Sequence, residues 1–338
     1  MTKMTYHDLK LEVWDKGRCA GCGACVAVCP ADAFYFRPGA VQPEHTEYCK
    51  EASDGVPCGA CYEVCPRLVT PSQGSSLVGD YRTLFQAKAG FDVPGRQSGG
   101  AVTAILLNAL ETGLIDAVVT VTEDRWTHRP SSAVITSTET LLHQAGSRYN
   151  WWVPLMAALK EAALIRKHRR VAIVGVPCVV QAVHRIRESD NELLRPFRQS
   201  IRLVIGLFCT ESFDYRELME QTLGGIHHIE PWRVQRLNIK GALEVTLDDG
   251  SGITIPLADL KGCLREGCQF CTDFTAEEAD ISAGAVGSRE GNTTLILRNP
   301  LGEGFVESAI RSGRLQRGDE VDIKAIGRLA SQKRKRAR

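Results

Sequence analysis

The sequence has no apolar run near the ~20 residues that a membrane-spanning helix requires. Its longest, VAIVGVPCVV, is short and contains Pro177. Charge of neither sign is in excess, with 41 Lys plus Arg against 40 Asp plus Glu, so no overall field selects nucleic acid or an anionic membrane as partner. The opening stretch MTKMTYHDLKLEVWDKG lacks an apolar signal core. We expect a cytoplasmic chain with no membrane span, at most peripheral on the cytoplasmic side of a membrane complex. Also missing are G-x-G-x-x-G and G-x-x-x-x-G-K-S/T, which argues against a Rossmann dinucleotide site and a P-loop. No spacing of Ser, His and Asp suggests a catalytic triad, and His184, His227 and His228 read as ordinary surface or core residues. The one local charge excess is the end, KRKRAR, residues 333–338. It reads either as a docking segment for an acidic partner or membrane surface, or as a solvated helix end.

Cysteine, by contrast, is abundant. Thirteen thiols in reducing surroundings are better suited to metal than to disulfides. In CAGCGACVAVCP, Cys19, Cys22, Cys25 and Cys29 precede Pro30; in CGACYEVCP, Cys58, Cys61 and Cys65 precede Pro66. Two-residue gaps let three thiolates of one loop grip a compact iron-sulfur cube, while the fourth, on the following helix, faces the neighbouring cube. Two such runs exchange one ligand each, with Cys49 supplying the member missing ahead of Cys58. We therefore expect one 4Fe-4S cluster on Cys19, Cys22, Cys25 and Cys65, and a second on Cys49, Cys58, Cys61 and Cys29. A zinc ribbon would use separated C-x-x-C pairs and has no use for the Cys-Pro ends.

Residues 1–76 thus read as a dicluster ferredoxin domain, and RLVTPSQGSSLVGD, residues 67–80, as a linker. Residues 77–338 read as an α/β body. LFQAKA (84–89), AVVTVT (117–122), VAIVGV (171–176) and IRLVIGLF (201–208) look like strands, and AVTAILLNALETG sets Val102, Ile105, Leu106 and Leu110 at helical spacing before stopping at Gly113. ALEVTLDDGSGITIPL alternates and turns at Asp249-Gly250, as an antiparallel hairpin inserted in or appended to the body would. GEGFVESAIRSGRL and DIKAIGRLASQKRKRAR are helical in pattern.

GRQSGGAVTA, residues 95–104, joins a strand to a helix. Backbone N–H groups at such a helix start can hold phosphate oxygens, and Gly99 and Gly100 permit close approach; a plain tight turn is the competing reading. In AGSRYNWW, residues 145–152, Arg148 is placed to pair with a phosphate and Tyr149 to cover a ring, while Trp151 and Trp152 read as core. Cys178 and Cys209 each follow a predicted strand, and so belong to the edge where the carboxyl ends of parallel strands converge. Together with Cys268 and Cys271 of GCLREGCQFCTDF they make four convergent thiols, sufficient for a third 4Fe-4S cluster. Cys263 is spare, or an alternative ligand.

The ferredoxin head followed by GRQSGGAVTA, GSRYN, VGVPC, GLFCTESF, CQFCTDFTAEEADISAGAVGS and NTTLILRN resembles the family of coenzyme F-420 hydrogenase/dehydrogenase beta subunits over most of the chain. Within it, the layout is most similar to electron-input subunits of F-420H2 dehydrogenases of methanogenic and related archaea; beta subunits of F-420-reducing hydrogenase and of formate dehydrogenase are close alternatives. The resemblance implies a flavin-binding body in which Ser98, Gly99, Gly100, Thr103, Arg148 and Tyr149 line FAD and Cys178, Cys209, Cys268 and Cys271 hold a cluster. It implies hydride transfer from coenzyme F-420 to FAD and single-electron delivery to a larger redox complex: a membrane-associated dehydrogenase, a hydrogenase or a formate dehydrogenase. Two features depart from the family pattern: Cys49 lies farther from Cys58, and Cys263 has no counterpart. The competing class is an electron-transfer module with no substrate chemistry of its own.

Overall fold

The structure, a computed structural model, describes residues 4–68 and 76–337. Strands form at Thr83–Ala89 (β1), Ala117–Glu123 (β2), Pro130–Ile135 (β3), Val171–Gly175 (β4), Ile201–Leu207 (β5), Val234–Ile239 (β6), Ala242–Leu247 (β7), Gly252–Pro256 (β8), Ile281–Gly284 (β9), Thr293–Leu297 (β10) and Leu315–Arg317 (β11). Eight of these make one sheet in the order β11-β1-β10-β9-β5-β4-β2-β3, and β6, β7 and β8 make a separate three-stranded sheet. β4 is buried along its whole length, the continuous apolar run typical of a strand covered on both faces.

Topology decides where a site can form. β2, β4, β5 and β9 are mutually parallel. β10 runs against β9, and β1 against β10, so β1 again points with the parallel block. The carboxyl ends of β1, β2, β4, β5 and β9 therefore open on one edge. Helices Ala101–Glu111 (α1), Pro177–Glu188 (α2), Pro300–Arg311 (α3) and Ile323–Arg336 (α4) follow the strands. α1 and α3 bury Ile105, Leu106 and Phe305 against Leu203, Ile205 and Leu295. α2 buries Val179, Val183 and Ile186 against Ile173 and Val204 on the other face. Each such side chain contributes roughly 1.5–3 kcal/mol.

The four strands expected in the first half of the body form within two residues of their expected ends. β7 and β8 pair antiparallel around the Asp249-Gly250 turn, where Gly250 takes φ +82°. β6 lacked a sequence signature because VQRLNI buries only Val234 fully and shows no alternation.

In the head, short helices Ala24–Val28 and Ala60–Glu63 repeat one design. Each opens on a left-handed glycine, Gly23 at φ +81° and Gly59 at φ +65°, a conformation that a side chain would strain. The head packs directly on the body. Ala24, Ala27, Ala60 and Val64 share one apolar cluster with Met156, Leu159 and Val179 of the body. Both described ends of the expected linker are packed as well. Arg67, 5% exposed, donates to the Gly267 carbonyl at 3.0 Å, and the carbonyl of buried Val78 accepts from Arg298 at 3.1 Å. Residues 69–75 of that linker lie outside the described residues.

The closest seam between head and body runs along Gly267, where a Cβ would stand 1.9 Å from the Cys19 carbonyl oxygen. Backbone cannot swing aside as a side chain can, so Gly267→Ala is expected to cost about 1–3 kcal/mol through overpacking and to expose the head to protease. Gly262→Ala, which meets nothing within 4 Å, serves as control. Equal melting temperatures and equal proteolysis of the two variants would refute this account of the seam.

Candidate cluster and cofactor sites

Cys19, Cys22, Cys25 and Cys65 line one cavity together with Leu9, Val13, Trp14 and Phe36. Burial pushes the Cys19 thiol up to about 11 and Cys65 up to about 12. It also raises Cys25, which in addition opposes the charge of Cys19, Cys22 and Cys65. Cys61 is raised by burial and then by Cys29, Cys58 and Cys49, and Cys58 lies against Cys29 and Cys49. The structure thus gathers Cys19, Cys22, Cys25 and Cys65 in one place and Cys29, Cys49, Cys58 and Cys61 in another, the grouping that an exchange of ligands between the two runs would require. Cys49 joins the second quartet despite its distance in sequence from Cys58, because Lys50–Asp54 forms a helix closed by left-handed Gly55, which turns the chain back.

The body quartet is assembled by the sheet edge. Cys178 is the second residue of α2, directly beyond β4. Cys209 lies just past β5, its N–H bonded to the Phe274 carbonyl at 2.9 Å. Burial pushes Cys209 up to about 12; Lys333 relieves this, and Cys268 and Cys271 oppose ionisation. Cys178 is raised by burial and next by Cys22 of the head, ahead of Cys271 and Cys209. Cys22 and Cys178 also pack on the same apolar cluster, which makes the first head quartet the body quartet's neighbour. Cys263 stands apart, its Sγ 3.3 Å from Thr222 Oγ1 in the core under β6, β7 and β8.

Each site gathers four thiols, the number that a 4Fe-4S cluster takes. Among the described residues no group of three His, Cys, Asp or Glu side chains is set to hold one metal ion. The thiols that burial raises, Cys19, Cys25, Cys61, Cys65, Cys178 and Cys209 among them, would be bound as thiolates by a cationic iron-sulfur core.

The two loops expected to hold a flavin come together at the same edge. A Cβ on Gly146 would lie 3.1 Å from the Gly95 oxygen, and one on Gly95 would lie 3.0 Å from the Ala145 oxygen. Gln97 donates to the Leu237 carbonyl at 2.7 Å, and the Tyr149 hydroxyl, its pKa raised chiefly by burial, has Ser147, Ile239 and Gln97 around it. Ser98 Oγ lies 3.1 Å from Thr293 Oγ1, which also accepts from the Gly99 N–H at 3.1 Å. Gly100 and Thr103 begin α1, whose first turn receives no side-chain cap. Its free N–H groups suit an anion.

The structure revises why the glycines are there. A Cβ on Gly99 would meet the Ala87 carbonyl at 2.5 Å, and one on Gly100 would meet Val93 at 3.2 Å. Their bare α-carbons face protein rather than open ligand space. Arg148 is also turned inward, donating to the Gly146 carbonyl and Gln144 Oε1 at 3.0 Å each, with Glu123 3.7 Å away. Its Nε is buried without a hydrogen-bond partner, as are His128 Nε2 and Asn150 Oδ1 nearby. This polar nest fits a ligand bearing both donors and acceptors.

Two further sequence readings change. The basic end is neither a docking tail nor wholly solvated. Lys333 is 3% exposed and donates to the Cys209 and Asp273 carbonyls at 2.6 Å each, Arg334 bonds to the Ser76 carbonyl, and Arg336 pairs with Glu211. Trp151 is interface rather than core, whereas Trp152 packs half-buried against the core under β6, β7 and β8. Trp151 donates to the Gly21 carbonyl at 3.2 Å beneath the Arg265 guanidinium, and Trp152 lies against Tyr215 and Arg129. Sequence reasoning missed Arg67, Arg265 and Lys333, the cations beside the thiols. The only signal was Arg67's place directly after Cys65-Pro66.

Comparison with known proteins agrees with this layout. Residues 84–160 match the N-terminal part, and residues 168–322 the C-terminal part, of the family described as coenzyme F420 hydrogenase/dehydrogenase, beta subunit; residues 18–69 match a 4Fe-4S dicluster domain. An uncharacterised protein of Methanocaldococcus jannaschii is 40% identical, over 99% of this chain and 98% of its own. A component of the F(420)H(2) dehydrogenase of Methanosarcina mazei is 31% identical, over 96% of this chain and 91% of its own. In the structure of the F420-reducing NiFe hydrogenase complex from Methanosarcina barkeri, one chain superposes with a TM-score of 0.72 at 29% identity, covering 78% of this chain and 91% of that one.

Because Gly100 holds φ +70° with Val93 at its back, Gly100→Val is expected to cost about 1–3 kcal/mol in backbone strain before any ligand binds. Thermal unfolding of the protein stripped of cofactor checks this. An unchanged midpoint would return the glycine to a purely ligand-facing role.

Proposed function

The chain belongs to the family of coenzyme F-420 hydrogenase/dehydrogenase beta subunits, and on that premise we propose that it oxidises reduced coenzyme F-420 by hydride transfer to a bound FAD and delivers single electrons to a partner redox complex. Residues 1–76 would be the dicluster head and residues 77–338 the catalytic body. The observation that carries the reading is the shared edge of the sheet: the loops around Gly95 and Gly146, the body quartet and the nearer head quartet lie there side by side.

Reduced F-420 gives up two electrons together as hydride, because carbon stands where a flavin has N5. Bound FAD would supply the step between two-electron and one-electron chemistry, and 4Fe-4S clusters the single-electron carriage. The chain's own contribution is to hold and to screen. Gly100 and Thr103 would present the N–H groups at the start of α1 to the phosphates, with Ser98 and Gly99, both bonded to Thr293, shaping the loop beside them; Arg148 and Tyr149 would border the flavin. Cys178, Cys209, Cys268 and Cys271 would hold the body cluster. Cys19, Cys22, Cys25 and Cys65 would hold the nearer head cluster, and Cys29, Cys49, Cys58 and Cys61 the farther one. The first head quartet is the more enclosed; Cys58 lies beside the exposed Ser53–Val56 stretch, which suits an exit towards a partner. A dehydrogenase input role is favoured by alignment with the F(420)H(2) dehydrogenase component of M. mazei over 96% of this chain, head included.

Anaerobically purified protein should carry about twelve iron atoms as three cubanes, Cys268→Ser about four fewer, and Cys263→Ala the full number. Eight irons in the parent chain would remove the body cluster. With a dye acceptor, reduced F-420 should be oxidised far faster than NADH or NADPH, and flavin should be released on denaturation. A flavin-free protein with intact clusters would leave only an electron-transfer module.

A further inference from the structure

Two buried cations, each delivered from outside the body sheet, meet at the body quartet. Arg67 comes from the head, 5% exposed, and donates to the carbonyls of Gly267 at 3.0 Å and Phe270 at 3.5 Å, the turn that carries Cys268 and Cys271. Lys333 comes from the last turn of α4, 3% exposed, and donates at 2.6 Å to the carbonyls of Cys209 and Asp273. The carboxylate facing them is Asp273. Its oxygens are already taken by Gln181 and by the N–H groups of Ala276 and Glu277, so it does not form an ion pair with Lys333. On the solvent side, Arg334 pairs with Glu277 and Arg336 with Glu211.

We propose that Arg67 and Lys333 are positioning residues that set the reduction potential of the body cluster, holding it high enough to take an electron by placing two fixed positive charges against the Cys178, Cys209, Cys268 and Cys271 thiolates. This rests on the reading that those thiols hold a 4Fe-4S cluster. The couple is one electron with no bond made or broken, so its free energy responds directly to the local field. Each added electron makes the site more negative, and cations buried beside it are little screened by solvent. Arg67 ties that field to the seating of the head, and Lys333 ties it to the folding of α4. A chain whose head or last helix is displaced therefore has a body cluster that is harder to reduce.

The test uses the full-length chain as purified anaerobically, in the parent, Lys333→Met, Lys333→Arg, Arg67→Met and Cys268→Ser forms. Iron content is measured first, followed by redox titration monitored by electron paramagnetic resonance. The expected result is full iron in all but Cys268→Ser, and a midpoint for one cluster that falls in Lys333→Met and in Arg67→Met. Each fall should correspond to at least about a tenfold smaller one-electron equilibrium constant, ~59 mV. Lys333→Arg should keep the parent value, and the titration step that moves should be the one absent from Cys268→Ser. Unshifted midpoints in Lys333→Met and Arg67→Met would overturn the proposal. So would equal loss of iron from Lys333→Met and Lys333→Arg, which would make Lys333 a packing strut. If Cys268→Ser removes no iron, the underlying cluster reading fails instead, separately from the charge effect.

Discussion

Four thiols enclosed in one small space are the constraint on which the rest of this structure depends. Buried thiols resist ionisation, as the upward shifts of Cys19, Cys65 and Cys209 show, and ligation requires them as thiolates. The chain meets that cost with positive charge and oriented backbone. The Arg265 guanidinium donates to the Ala20 carbonyl at 2.7 Å, in the loop between Cys19 and Cys22, and its charge eases ionisation of Cys19. Arg67 lies between head and body thiols, lowering Cys22 and Cys178 alike. Lys333 closes the far side. Burial works against its own charge, but Cys271, Cys209 and Asp273 outweigh that and hold its pKa above the usual lysine value. An apolar core alone would leave these thiols neutral and unable to bind metal.

The same constraint explains the joint between head and body. Where charges must be shared across a boundary, the two sides have to approach to backbone contact, and the boundary is lined with residues that have no side chain to hold them apart. A Cβ on Gly21 would meet Arg265 at 2.2 Å, one on Gly23 would meet Pro154 at 2.4 Å, and one on Gly267 would meet the Cys19 carbonyl at 1.9 Å. Met156 N–H bonds to the Cys22 carbonyl at 3.0 Å, and Asn191 donates to the Cys58 carbonyl at 2.8 Å. Electron exchange between groups falls off with separation, so this interlock keeps the quartets at a fixed spacing that a flexible tether would not.

Much of the site was legible because cysteine spacing encodes it directly. C-x-x-C-x-x-C followed by Cys-Pro has a local geometric meaning, and the quartets of the head could be written down from the sequence. The body quartet was legible by a longer route: Cys178 and Cys209 follow strands, strands converge at one edge, and a C-x-x-C completes the set. The loops at residues 95–104 and 145–152 were visible as glycine-rich turns. That they touch was not, because Gly95 follows β1 and Gly146 follows β3, near opposite ends of the order β11-β1-β10-β9-β5-β4-β2-β3, and only the path of the two loops over the sheet edge brings them together. β6 escaped because its burial is partial. The interface role of Trp151 escaped because a tryptophan is apolar in composition, whatever it packs against.

The basic end shows most sharply where pattern reading stops. KRKRAR has one composition but two environments, since a helix turns successive residues by about 100° and so separates neighbours in sequence onto different faces. Lys333 lands on the inner face of α4, where the Cys209 and Asp273 carbonyls receive it, while Lys335 and Arg336 remain exposed. A run of like charges is normally a solvated face, and here three of its members are held by groups far away in the chain: Lys333 by the Cys209 and Asp273 carbonyls, Arg334 by Ser76 and Glu277, and Arg336 by Glu211. The last helix is therefore part of the body quartet's electrostatics, and that quartet depends on contributions from the head, the sheet and the last turn of α4 at once.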